Sequence, residues 1–273
     1  MGGDADSITV SGFSSGAGMA SAMHVIHSDT FKGVGILAGG SFTGMLNYYE
    51  PYEDSDGTYE SLRELWADGY DQTYLDDAMN EVFQKGYIDD PSNLQNAPVY
   101  IDQGANDLFG TTSTESAKSF YEILQSDVKF RETDRNHVIS TDFSDKDVED
   151  CNGSKFNLFL IERGIVNCDS DMAGIMFEHL FSNLPTGSVT LNPMNSDSRN
   201  WETKGVLREF SQTEFLPDDL GLFDFSGLDD YGYVYYPNTC IGQSGCKVHM
   251  MLHGCASGRE NLFDLVPRKS GWL

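Results

Sequence analysis

Apolar and polar positions along the chain change period several times, and each change marks a predicted element. Ile8-Thr9-Val10-Ser11 reads as a short strand, Gly12-Phe13-Ser14-Ser15-Gly16 follows it, and a helix is predicted from about Gly18 to His27. Gly33–Ala38 is a continuous apolar run ending in Gly39-Gly40, the pattern of a buried strand. Leu62, Leu65 and Trp66, then Leu75, Met79, Val82 and Phe83, recur at helical spacing. Residues 41–95 therefore read as a helical insertion, acidic and rich in tyrosine, over one end of a sheet. Val99-Tyr100-Ile101 is a strand running into Gly104-Ala105-Asn106-Asp107; a helix near Ser116–Leu124 and the strand Val128–Arg131 follow. Phe177, Leu180, Phe181 and Leu184 form one apolar stripe, read as core packing. In the last third, Val206–Phe210, Tyr231–Tyr236 and Val248–Leu252 read as strands, with a final helix near Leu262. Strand–helix alternation followed by extra strands predicts an α/β sheet protein with one core.

Composition narrows the function classes. At 273 residues and 39% hydrophobic, the chain has material for a sizeable core, and no apolar run approaches the ~20 residues of a spanning helix. The net charge is −26, so phosphate neutralisation offers nothing and nucleic acid is excluded as a partner. Anionic membrane surfaces are disfavoured for the same reason. Between Glu50 and Asp90 there are 13 carboxylates against Arg63 and Lys85, which reads as a hydrated surface. Asp54-Ser55-Asp56-Gly57 and Asp169-Ser170-Asp171 have fragments of calcium-loop spacing without the downstream glutamate, so no metal is expected.

Cys240 and Cys246 lie six apart, and Cys151 and Cys168 bracket another loop. Short loops bracketed by cysteines suit disulfides in an oxidising compartment, and no CxxC pair suggests zinc. Cys255 is left over. Asn152-Gly153-Ser154 is a glycosylation sequon. The chain opens on Met1-Gly2-Gly3-Asp4 without a leader pattern and fails the myristoylation pattern at Asp6. An extracellular protein whose signal peptide is absent from this chain is the expectation.

The strongest local signal is Gly12-Phe13-Ser14-Ser15-Gly16: strand, then G-x-S-x-G, then helix is the setting of a nucleophile elbow. Ser14 is the candidate nucleophile, and it needs a base. His24 and His27 lie on the helix leaving the elbow, His179 sits among apolar helix residues, and His249 lies inside a strand. His253 belongs to the turn His253-Gly254-Cys255, which leaves His137, in a polar loop after a strand. The third member is a carboxylate that orients the imidazole. Asp107 satisfies the order Ser…Asp…His; Asp102, nearer the strand end, is its rival. The turn after Val248–Leu252 is either a source of an oxyanion-hole N–H or an ordinary turn with a thiol; the N–H of Ser15 would be the second donor. In the usual hydrolase order such a turn precedes the elbow, whereas here it follows by more than two hundred residues, so a circular permutation is expected.

That order, with these motifs, resembles the secreted poly(3-hydroxybutyrate) depolymerases of circularly permuted type and related esterases. The stretches that carry the likeness are Val10–Ala20, Gly104–Asp107, His137 with Thr141-Asp142-Phe143, Tyr231–Pro237 and Leu252–Cys255. The resemblance implies a circularly permuted α/β-hydrolase sheet with helices on both faces, forming a single catalytic domain over residues 1–273. It implies Ser14 as nucleophile, Asp107 and His137 as its partners, and the N–H groups of Ser15 and Cys255 as oxyanion donors. It also implies disulfides Cys151–Cys168 and Cys240–Cys246. Only 18 residues follow Cys255, whereas the family continues with a further strand and a Trp-rich region, so a fold truncated at the C-terminus is expected.

The reading is a monomeric serine carboxylester hydrolase of polyester or small esters, with no cofactor. Tyr48, Tyr49 and Tyr52, with Tyr70, are candidates for a substrate platform; half-buried packing is their other reading. A feruloyl- or acetyl-ester hydrolase acting on polysaccharide is the nearest alternative, and a catalytically silent polymer-binding protein is the alternative from another class.

Overall fold

The computed structural model describes residues 2–42, 72–142, 151, 165–182, 204–215 and 231–255. In chain order the elements are β1 (Gly2–Phe13), α1 (Ser15–Ile26), β2 (Val34–Leu37), α2 (Gln72–Gln84), β3 (Pro98–Gly104), α3 (Thr112–Ile123) and β4 (Asp127–Thr133). They continue with β5 (Ile139–Thr141), β6 (Ile165–Asn167), α4 (Met172–Ser182), β7 (Gly205–Ser211), β8 (Tyr231–Pro237) and β9 (Ser244–Leu252). Five strands form one sheet in the order β4-β3-β2-β1-β9, and every neighbouring pair is parallel. The last strand of the sequence thus lies beside the first, with Val10 opposite Met250 and Gly12 opposite Leu252.

Parallel sheets are stable when both faces are covered, and strand alternation divides this core cleanly. Val10, Val34, Ile36, Val99 and Ile101 face a layer built from Ala17 and Ala20 of α1, Leu75, Met79 and Val82 of α2, and Phe120 and Tyr121 of α3. Phe13, Leu37 and Tyr100, on the alternate positions, face Met172, Met176 and Leu180 of α4. Of the predicted stripe, Phe177, Leu180 and Phe181 lie on α4, with Leu180 and Phe181 buried, and Leu184 lies outside the described residues. Asp171 caps this helix, accepting the Gly174 N–H at 2.8 Å, which gives one of the calcium-like aspartates a helix-capping role.

Strand β1 extends further toward the N-terminus than its apolar pattern indicates, because backbone pairing with β9 continues to Gly2 and Gly3. β7 and β8 pair antiparallel as a separate ribbon. β5 and β6 were not predicted: three residues each give no periodic signal. Cys168, one residue past β6, is bonded to Cys151, and Cys240 to Cys246 closes the turn before β9. Among the described residues, no helix is long and apolar enough to cross a membrane. The helix around Leu62–Trp66, most of the insertion at 41–95, the tyrosines Tyr48, Tyr49, Tyr52 and Tyr70, the sequon and the helix near Leu262 lie outside the described residues.

Candidate active site

The elbow is built by three backbones meeting at the C-terminal end of the sheet. β1 ends at Phe13 and α1 starts at Ser15, so Ser14 alone makes the turn, at φ 57° and ψ −122°. That is a left-handed conformation a serine adopts only when its surroundings fix it, and such strain concentrates at functional positions. Here the Ser14 N–H donates to Leu37 O at 2.9 Å, and its own carbonyl accepts from Ala17 N at 3.0 Å. Gly12 and Gly16 are demanded by space: a Cβ on Gly12 would lie 2.0 Å from Gly16 O, and one on Gly16 would lie 2.3 Å from His253 O. The second distance shows how closely the His253-Gly254 turn packs on the elbow. The Cys255 thiol donates to Ser15 Oγ at 3.1 Å, bringing the two residues expected to supply oxyanion donors side by side.

His137 Nδ1 lies 2.7 Å from Asp107 Oδ2, and both side chains are largely buried, 10% and 4% exposed. Asp107 follows β3 in a tight turn in which its Oδ1 accepts the Phe109 N–H at 2.9 Å and its carbonyl accepts the Gly110 N–H. With both carboxylate oxygens engaged, Asp107 is oriented by its own turn and in turn fixes the imidazole. The imidazole lies against Phe13, the residue before Ser14, with ring centroids 4.7 Å apart. On another side Phe109 meets it edge-on, also at 4.7 Å. Among the described residues no hydrogen bond joins Ser14 Oγ to His137; contacts of this kind commonly tighten only with substrate bound.

Asp102 has a different task. It is buried in β3, paired with the Arg135 guanidinium, 3.8 Å from Arg131, and accepts the Tyr100 hydroxyl at 2.9 Å. Burial holds the Arg135 pKa down to about 10 and pushes the Tyr100 hydroxyl up. Arg135 also donates to Ser140 Oγ at 2.9 Å, and its carbonyl accepts the Asn106 N–H at 3.0 Å. The pair therefore clamps the segment just before His137 to the strand just before Asp107. Sequence reasoning missed this clamp, since Arg135 stands in a polar loop with nothing local to mark it as buried. Removing one member of a buried ion pair strands the other charge, at a cost of about 3–5 kcal/mol. Asp102→Ala is accordingly expected to lower the urea midpoint steeply; a midpoint within experimental error of the parent would show that the clamp carries no stability.

The other histidines are placed as structural groups. His249 in β9 sits between Ser11 Oγ at 2.7 Å and Thr9 Oγ1 at 2.8 Å, with Phe177 edge-on to its ring. His24 is buried on α1 against the Tyr121 hydroxyl. His179 bonds to Asp127 O, and His253 Nδ1 lies 2.9 Å from Gly254 O. Among the described residues no group of three or more His, Cys, Asp or Glu is placed to hold a metal ion.

A parallel sheet with helices on both faces and a strained serine at a strand–helix turn form an α/β-hydrolase-like scaffold, with an Asp–His pair at the same end of the sheet. The comparisons bear on the scaffold. No protein-family model matches the chain. A curated poly(3-hydroxybutyrate) depolymerase of Delftia acidovorans is 30% identical over 98% of this chain and 49% of its own length. A polyhydroxybutyrate depolymerase of Talaromyces funiculosus is 25% identical over 98% of this chain and 70% of its own. Among solved structures, a PHB depolymerase with a serine-to-alanine substitution, complexed with an R3HB trimer, superposes with a TM-score of 0.69 at 23% identity. The PHB depolymerase from Penicillium funiculosum gives 0.67 at 23%. Each superposition covers 99% of this chain and 76% of the neighbour. The chain is related by sequence to the PHB depolymerases along nearly its whole length and has their fold, while spanning about half the length of the Delftia relative.

Proposed function

We propose that this chain is a serine carboxylester hydrolase acting on polyester of the 3-hydroxybutyrate kind. The observation that carries the reading is the 2.7 Å bond from Asp107 to His137 beside a serine held at φ 57°. In the mechanism that follows, Ser14 Oγ attacks the ester carbonyl while His137 Nε2 takes its proton. Asp107 holds the Nδ1–H tautomer and stabilises the imidazolium. The N–H groups of Ser15 and Cys255 receive the developing oxyanion, aided by the N-terminus of α1. His137 then protonates the leaving alcohol, and a water activated by the same base releases the acyl group from Ser14.

The substrate class rests on the relatives: depolymerases by name, one of them holding an R3HB trimer. Residues 1–273 act as one catalytic domain of circularly permuted order, a reading supported by β9 lying parallel beside β1. Two disulfides support an extracellular setting. A fluorophosphonate probe tests the reading directly, with the adduct located by peptide mass spectrometry. The expected result is a single adduct on Ser14. A folded chain that remains unlabelled, or is labelled elsewhere, overturns it.

A further inference from the structure

Leu108 and Phe109 are large, apolar and exposed, at 54% and 65%, and they follow directly on Asp107. Single exposed hydrophobic residues are ordinary on a protein surface; two in succession at a reacting base are not. Phe109 is held in place. Its N–H is bonded to Asp107 Oδ1, Gly110 closes the turn at φ +79°, and the edge of one ring meets the other at His137. The carboxylate that orients the imidazole therefore also fixes a phenyl ring whose remaining surface faces water. A rigid aromatic with two side-chain torsions presents contact area at small entropic cost, and the loss of water from that surface is recovered only when an apolar group covers it.

We propose that Phe109, with Leu108 beside it, is a specificity-determining contact that packs against the hydrocarbon part of the ester next to His137. The proposal rests on the hydrolase reading and deepens it: the preferred substrates are esters whose chains are long enough to reach this surface. Acetate presents one methyl group to it, whereas butyrate, hexanoate and 3-hydroxybutyrate oligomers cover more of the ring. Each buried methylene contributes roughly a factor of four in binding.

The experiment compares kcat/KM of the parent, Phe109→Ala, Phe109→Leu and Leu108→Ala chains on p-nitrophenyl acetate, butyrate and hexanoate. The hexanoate-to-acetate ratio is expected to fall about ten-fold or more in Phe109→Ala and by a smaller factor in Leu108→Ala. Phe109→Leu, which keeps apolar bulk, is expected to restore most of the ratio. An equal loss on all three esters would show that Phe109 only supports His137 and would overturn the proposal, as would an unchanged ratio. Should the parent hydrolyse none of them, the failure belongs to the hydrolase reading. Calorimetric binding of a 3-hydroxybutyrate trimer to Ser14→Ala, with and without Phe109→Ala, then decides the contact alone. A ten-fold weaker affinity supports it and equal affinities overturn it.

Discussion

Replacing Ser14 by alanine is expected to lower ester hydrolysis by about four to six orders of magnitude while leaving the fold and polymer adsorption as they were. The size follows from the division of labour at the site. Without the Oγ nucleophile there is no acyl-enzyme, and the Asp107–His137 pair has no proton to accept from it. What survives is the background from oxyanion donors and substrate positioning acting on water. The fold is spared because Ser14 contributes to the elbow through its backbone: its N–H bonds to Leu37 O and its carbonyl to Ala17 N, and alanine keeps both. Alanine also meets the same steric limits as serine at φ 57°, so the strained turn changes little in energy. Hydrolysis of p-nitrophenyl butyrate and adsorption to poly(3-hydroxybutyrate) granules are measured on the same preparation. Residual hydrolysis within ten-fold of the parent would remove Ser14 from the mechanism; lost adsorption with an intact circular-dichroism spectrum would place Ser14 in binding as well.

How much of this was readable from sequence depends on how local the signal is. The elbow is local: five residues, two of them glycines that space demands, between a strand and a helix. The Asp107–His137 pair is not local, yet chain order and strand-end position singled it out, and the structure joins the two at 2.7 Å. Chain order favoured Asp107 but left Asp102 standing as its rival. Both acids follow the same apolar run, and what separates them is Arg135, whose burial depends on how the loop before His137 folds back on β3. Phe109 was passed over for the opposite reason: one phenylalanine in a turn carries no periodicity, and only its contact with His137 gives it meaning. β5 and β6 are set by tertiary pairing alone. His249 was placed in its strand, but the two hydroxyls that bracket its ring come from the neighbouring strand, 240 and 238 residues away along the chain and one strand spacing away in space.

Those bracketed rings make the protein acid-labile in a defined way. His24 is fully buried and His249 partly so, and burial pushes both pKa values down to about 3 from an ordinary 6.5. Ser11 and Thr9 hold His249 through neutral hydroxyls, and Tyr121 does the same for His24. The unfolded chain binds a proton on each histidine below pH 6.5, and the folded chain refuses it until about pH 3. Stability that is complete above pH 6.5 is therefore lost as pH falls through the window between 6.5 and 3. Each histidine contributes a slope approaching 1.4 kcal/mol per pH unit, so about 2 kcal/mol apiece is gone by pH 5. The 43 carboxylates act in the other direction as they begin to protonate, because relief of self-repulsion favours the compact state. The informative quantity is therefore the difference between parent and variant. His249→Asn keeps a donor and an acceptor for Ser11 and Thr9 but cannot titrate. Urea midpoints for parent and variant at pH 7, 6, 5 and 4 are expected to converge as pH falls, the parent losing about one proton's worth of slope more than the variant. Parallel curves over that range would mean that His249 takes up its proton within the folded sheet, and that the hydroxyl bracket does not keep it neutral.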